Sequence, residues 1–243
     1  MIEIKSKALE HLKEKMLEIR QDLHRHPELG FQEHRTADLV ATELRSYGLE
    51  VHQKVGGTGI VGILNKGSGN RAIALRADMD ALPIKETSQH HYVSETKGVM
   101  HACGHDGHTA MLLGAAQYLS ETCSFNGSVA FIFQPNEENG LGAAAMLKDN
   151  LFERFPVEEI YGMHNLPGAP LGSFSTRIGT ICSSESLFEI SIKARGGHSA
   201  MPHKGVDAIV VGAEIIQSLQ TIVARKMEPG SGSVLSITEF QTD

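Results

Sequence analysis

The sequence predicts an α/β protein built on a mixed, largely parallel sheet. Three observations lead there. Short apolar runs alternate with amphipathic helical stretches as far as about residue 182. One of those runs, Ser128–Phe133, is apolar enough to be an interior strand. Residues with catalytic or metal-binding chemistry follow directly on several of the runs, where open α/β sheets place their ligand crevice.

The elements follow in order. Leu9, Leu12, Met16, Ile19 and Leu23 recur at helical spacing and predict a helix over about residues 5–25, stopped before Pro27. Ala37, Val40, Leu44 and Tyr47 predict a second helix ending at Gly48. Strands are expected at Leu49–Val55, Ile60–Leu64 and Ala72–Ala77, separated by Gly-rich turns. A helix over His108–Leu119 precedes the strand Ser128–Phe133. An Ala-rich helix near Leu141–Lys148 and a strand at Ile160–Met163 come next. Past about residue 183 the pattern restarts as strand Leu187–Ala194, helix Val206–Val223 and strand Ser233–Thr238, a β-α-β unit of a second, small domain. The expected division is therefore residues 1–182 and 183–243. The stop at Asp243, just after that unit, suggests a fragment or an early-terminated product.

Composition excludes some partners. With 41% hydrophobic and 21% charged residues the chain reads as an ordinary globular protein. A net charge of −7 and no basic block argue against nucleic acid. The N-terminal residues show no signal-peptide core, and no apolar run approaches the roughly 20 residues needed to span a bilayer. Three scattered cysteines, Cys103, Cys123 and Cys182, do not make a disulfide framework, so a cytoplasmic location is expected.

The densest chemistry lies between Met100 and His108, which holds His101, Cys103, His105, Asp106 and His108. Thiolate and imidazole are good ligands for zinc and related ions. Asp78 and Asp80 follow the strand at 72–77, either as loop caps or as a metal ligand or its orienting neighbour. Glu137 and Glu138 follow the strand at 128–133. Adjacent carboxylates there suit one metal ligand and one general base, or else a solvated acidic loop. His164 follows the strand at 160–163. Cys103 reads as a ligand rather than a nucleophile, because no base with its orienting partner is evident beside it in the sequence.

These motifs, in this order, resemble the zinc-peptidase-like amidohydrolase family. Its members include N-acyl-amino-acid amidohydrolases, hippurate hydrolases and auxin-conjugate hydrolases, with aminoacylases and carboxypeptidase G as more distant relatives. The resemblance rests on Arg20–Phe31, Leu75–Pro83, Met100–His108, Phe133–Glu138 and Gly162–Asn165. It implies metal ligands at Cys103, His105, Glu138 and His164, a general base at Glu137, and Asp80 just behind the metals. His198, in Gly196–His203, would help bind substrate and oxyanion. Two divalent ions are implied, zinc or manganese first and cobalt or nickel as alternatives, acting on the amide of an N-acyl amino acid. The second domain would be an incomplete α+β (ferredoxin-like) lid through which the intact enzyme forms a homodimer. The family's further His, near a C-terminal Gly-Ser-Glu-Asp-Phe segment, has no counterpart here. A dinuclear aminopeptidase or dipeptidase, and a metal-binding or dimerising fragment without turnover, are the competing readings.

Overall fold

The computed structural model describes residues 6–122, 124–182, 184 and 186–242. Cys123 therefore lies outside the described residues, as do Lys5 at the start of the expected first helix, Ser183 at the expected domain boundary and Asp243. The chain divides into two compact units, Met1–Ala169 and Pro170–Asp243. The sequence reading placed the division after residue 182.

The first unit has three layers around a five-stranded sheet. Its helices are α1 (Ser6–Arg25), α2 (His34–Ser46), α3 (His105–Thr122), α4 (Gly142–Lys148) and α5 (Leu151–Arg154). Its strands are β1 (Glu50–Val55), β2 (Gly59–Lys66), β3 (Ala72–Asp78), β4 (Gly127–Gln134) and β5 (Glu159–Gly162). The strand order is β1-β2-β4-β3-β5. The β1/β2 and β2/β4 pairs are antiparallel, whereas β3/β4 and β3/β5 are parallel. The parallel character thus belongs to the half that carries the chemistry, and β3, β4 and β5 all end at the same edge.

Alternation along β4 produces two cores. Val129, Phe131 and Phe133 face α1, α2 and α3, meeting Leu23, Val40, Leu44 and Leu113. Ala130 and Ile132 face the other way, towards Met146, Leu151 and Phe155 of the α4–α5 segment. Phe131 and Phe133 are both fully buried, each such ring being worth about 1.5–3 kcal/mol of transfer free energy. This tight central strand holds Gln134 and the residues after it in a fixed place.

One expectation needs correction at an element boundary. α3 begins at His105, not His108, so Cys103 and His105 sit at a loop–helix junction rather than at a strand end. Gly107 within the first turn hid that start, since glycine weakens a helical pattern. The short helix α5 was not foreseen.

In the second unit the main element is α6 (Ala208–Thr221), continued by a π-helical turn over Ile222–Lys226. Asp207 caps it, its Oδ1 accepting the N–H of Ile209 at 2.9 Å and of Val210 at 3.2 Å. The two flanking segments expected as strands, Leu187–Ala194 and Ser233–Thr238, form no ladder among the described residues. Alternation selects a face but does not supply a neighbouring strand, and Leu187 and Val234 are 80% and 86% exposed. The segment Ala208–Lys226, 19 residues long, is apolar enough to cross a membrane by length and composition, where the sequence reading found no such run. The core helices of soluble proteins meet the same criterion, so it carries no membrane assignment.

Candidate metal centre

The site forms where β3, β4 and β5 end against the start of α3. From β3 come Asp78 and Asp80, both essentially buried; from β4 come Glu137 and Glu138; from β5 comes His164. The loop before α3 brings in Cys103. Gly104, at φ +96°, turns the chain into α3 in the left-handed region, and a Cβ there would collide with the Asn165 side chain.

Two histidines have their tautomers set by carbonyl oxygens, which can only accept. His105 Nδ1 lies 2.9 Å from the Asp80 carbonyl oxygen, and His164 Nδ1 lies 2.7 Å from that of Asn165. In each ring Nδ1 carries the proton and Nε2 presents its lone pair to the site. His164 Nε2 stands 3.4 Å from Cys103 Sγ. His105 Nε2 is buried without a hydrogen bond, 3.8 Å from Glu138 Oε1, which is also buried without one. Glu137 Oε2 approaches the same nitrogen at 3.7 Å, and its side chain is 38% exposed.

The electrostatics are those of a crowded anionic pocket. Burial, reinforced by Glu138, Glu137 and Asp78, pushes the Cys103 thiol up to about 12. Burial also raises the Glu138 carboxyl, and its neighbours Glu137 and Asp80 add to this against the pull of Cys103 and His105. Burial works against a charge on His105, but Asp80, Asp78 and Glu138 together hold its pKa above the ordinary value. Unpartnered buried donors and acceptors of this kind are costly unless a cation sits among them.

Ligand atoms of Cys103, His105 and Glu138 lie within 4.8 Å of one another, and so do those of Asp78, His105, His108 and His164. Valence sorts the second group. His108 Nδ1 meets Asp78 Oδ1 at 2.7 Å, while its Nε2 takes the Asn165 backbone N–H at 3.1 Å. Arg76 holds the other oxygen of Asp78 at 2.7 Å. Both nitrogens of His108 and both oxygens of Asp78 are therefore engaged, which leaves His105 Nε2 and His164 Nε2 as the lone pairs of that group facing the site. Cys103 and Glu138 group around His105, and His164 Nε2 stands beside Cys103 Sγ, so the four positions implied by the family resemblance lie in one neighbourhood. Asp80 touches two of them, since its Oδ2 also accepts the Glu138 N–H at 3.0 Å.

Sequence reasoning assigned no role to His108, Asn165 or Glu33, and left Asp78 undecided. The His105/His108 spacing does place both on one helix face, and Asp78 and Asp80 stand two apart where β3 ends; those signals are legible. The absence of a base beside Cys103 was misjudged, because His164 is such a neighbour. With the thiol pushed up to about 12 among carboxylates, however, Cys103 is the opposite of an activated nucleophile. His198 lies in the second unit, where its Nδ1 accepts the Ala200 N–H at 3.1 Å.

The sequence profile of peptidase family M20/M25/M40 matches residues 74–239. The chain belongs to that family. A hippurate hydrolase of Campylobacter jejuni is 45% identical over 91% of this chain and 58% of its own length. Among solved structures, a putative aminohydrolase from methicillin-resistant Staphylococcus aureus aligns over 98% of this chain and 64% of its own. It is 35% identical, with a TM-score of 0.73. The Bacillus subtilis YxeP protein, described as a dinuclear metal-binding peptidase of the M20 family, is 38% identical over 66% of this chain and 45% of its own, with a TM-score of 0.63. This M20-family chain spans 58–62% of the length of the first curated relatives it matches.

Proposed function

We propose that the protein is a metal-dependent amidohydrolase acting on the amide of N-acyl amino acids or related conjugates. The observation that carries this reading is the pair of buried, unpartnered atoms His105 Nε2 and Glu138 Oε1, 3.8 Å apart beside Cys103. The similarity to a hippurate hydrolase supports the substrate class, hippurate being itself an N-acyl amino acid. Two divalent ions are the proposed cofactors, in keeping with the description of the B. subtilis neighbour. Zinc is the first choice for the thiolate–imidazole half, with manganese next.

Bound divalent ions would supply Lewis-acid charge and a water of pKa near 7. Cys103, His105, Glu138 and His164 would hold them. Asp80 would orient His105 and Glu138 at once, through its carbonyl and carboxylate. Glu137, the more exposed member of the glutamate pair, has room to take a proton and return it to the leaving amine. His198 is proposed to meet the oxyanion. With Nδ1 engaged by Ala200, Nε2 is its atom for that contact. A homodimer and a cytoplasmic setting complete the proposal, the latter because Cys103 must stay reduced to act as a ligand.

The test is a panel of N-benzoyl and N-acetyl amino acids alongside free-amine dipeptides, assayed with zinc or manganese added back after chelation. Metal-restored cleavage of the N-acyl substrates is expected. Preference for the free-amine dipeptides would replace this reading with the aminopeptidase or dipeptidase alternative.

A further inference from the structure

A second group of ligand-type side chains lies outside the centre just described. His24, at the end of α1, faces Glu86 and His90 from the long loop after β3, and one ligand atom from each lies within 4.8 Å of the others. His24 Nε2 is 3.2 Å and His90 Nε2 is 3.0 Å from the same oxygen, Glu86 Oε1. We infer that His24, Glu86 and His90 form a separate binding site for a zinc-type divalent ion.

Three features support it. First, His24 Nδ1 meets Asp106 Oδ2 at 2.8 Å, and a carboxylate requires the proton on that nitrogen. Nε2 of a neutral His24 then points a lone pair at a second carboxylate. Carboxylate–histidine–metal relays are built this way. Second, the spacing suits a metal. With bonds of about 2.0–2.1 Å, neighbouring donors of a tetrahedral zinc stand about 3.3 Å apart. The observed 3.0 and 3.2 Å are close to that edge length.

Third, the donors are held in place. Glu86 Oε2 accepts the Ser94 N–H at 2.6 Å, and the Ser88 hydroxyl donates to Oε1. The Tyr92 ring stacks on His90 at 4.2 Å between centroids. His24 and Glu86 side chains are only 6% and 5% exposed, whereas His90 is 36% exposed and opens the site to solvent. Three protein donors leave one tetrahedral position for water.

Zinc itself is the probe. The full chain is dialysed to equilibrium against micromolar zinc, and bound metal per chain is measured by atomic emission. A Cys103→Ser/His164→Ala protein, with the amidohydrolase centre disabled, should retain one zinc, and adding His90→Ala should remove it. In the otherwise wild-type chain His90→Ala should lower the count by one. His90 is exposed enough that its replacement leaves the fold intact, which a melting curve verifies. Glu86→Gln should weaken the same zinc at least tenfold. Equal zinc counts with and without His90, on both backgrounds, would overturn the inference and leave a proton-bridged cluster. Because the readout is metal bound with the first centre disabled, failure of the amidohydrolase reading would not mimic that outcome.

Discussion

The buried Glu33 carboxylate accepts the backbone N–H of Asn136 at 2.8 Å, joining residues 103 positions apart in the chain. Its other oxygen accepts the Thr58 hydroxyl at 2.5 Å. Asn136 is left-handed, at φ +45°, and immediately precedes the glutamate pair. Gly30 lies against its side chain so closely that a Cβ would collide with it. Glu33 is thus a clamp on the turn that aims Glu137 and Glu138.

Glu33→Ala should therefore cost the fold about 1–3 kcal/mol by leaving a buried N–H unpaired. In the proposed enzyme it should lower kcat more than it raises KM, with Glu33→Gln restoring part of the rate. Urea melts and steady-state kinetics check this. A variant with altered stability but an unchanged kcat would make Glu33 purely structural.

Asp78 provides an acid-stability signature. Although burial opposes its charge, His108, His105 and Arg76 hold its carboxyl down to about 2, against an ordinary 3.8. A depressed carboxylate stabilises the fold above its unfolded pKa and loses that contribution as pH falls through the folded value. The loss should run from about pH 4 down to pH 2 and amount to on the order of 2 kcal/mol. Urea midpoints followed against pH should show this slope in the wild type and a flatter one in Asp78→Asn.

Much of this architecture was legible in the sequence, for identifiable reasons. β4 is a run of apolar residues whose period of two assigns Phe131 and Phe133 to one core and Ile132 to the other. The proposed metal donors Cys103, His105, Glu138 and His164 stand out as chemically distinctive residues in recognisable motifs. What the sequence hid were partnerships closed by tertiary structure, such as Glu33 with Asn136 or His108 with Asp78. Nothing local marks a carboxylate whose partner is 103 residues away. The expected strands at 187–194 and 233–238 failed for a related reason: a strand is completed by its neighbour, and their alternation could not show whether one is present.

The glutamate pair should separate by variant. Glu138→Gln removes a buried anionic donor and should weaken metal retention by at least tenfold. Glu137→Gln should keep the metal and lower turnover by about 100- to 10,000-fold, the usual cost of a general base. Metal content and initial rates, measured on the same preparations, distinguish the roles. If both variants kept metal and rate, neither role would stand.

Asp80→Ala should act on both ligands it supports. Loss of its carboxylate frees the Glu138 N–H and removes an anion from beside His105. Outer-shell partners of this kind typically contribute about 10- to 100-fold in metal affinity. A competitive chelator titration measures that loss, and unchanged affinity would remove Asp80 from the account.

The most direct test of the centre is X-ray absorption at the zinc edge, with the His90→Ala protein loaded at one zinc per chain so that the His24–Glu86–His90 group does not compete. Cys103, His105, Glu138 and His164 as ligands predict one sulfur near 2.3 Å and nitrogen or oxygen donors near 2.0–2.1 Å. The sulfur shell should disappear in Cys103→Ser. A spectrum with no sulfur before that substitution, or a sulfur shell that survives it, would contradict the proposed centre.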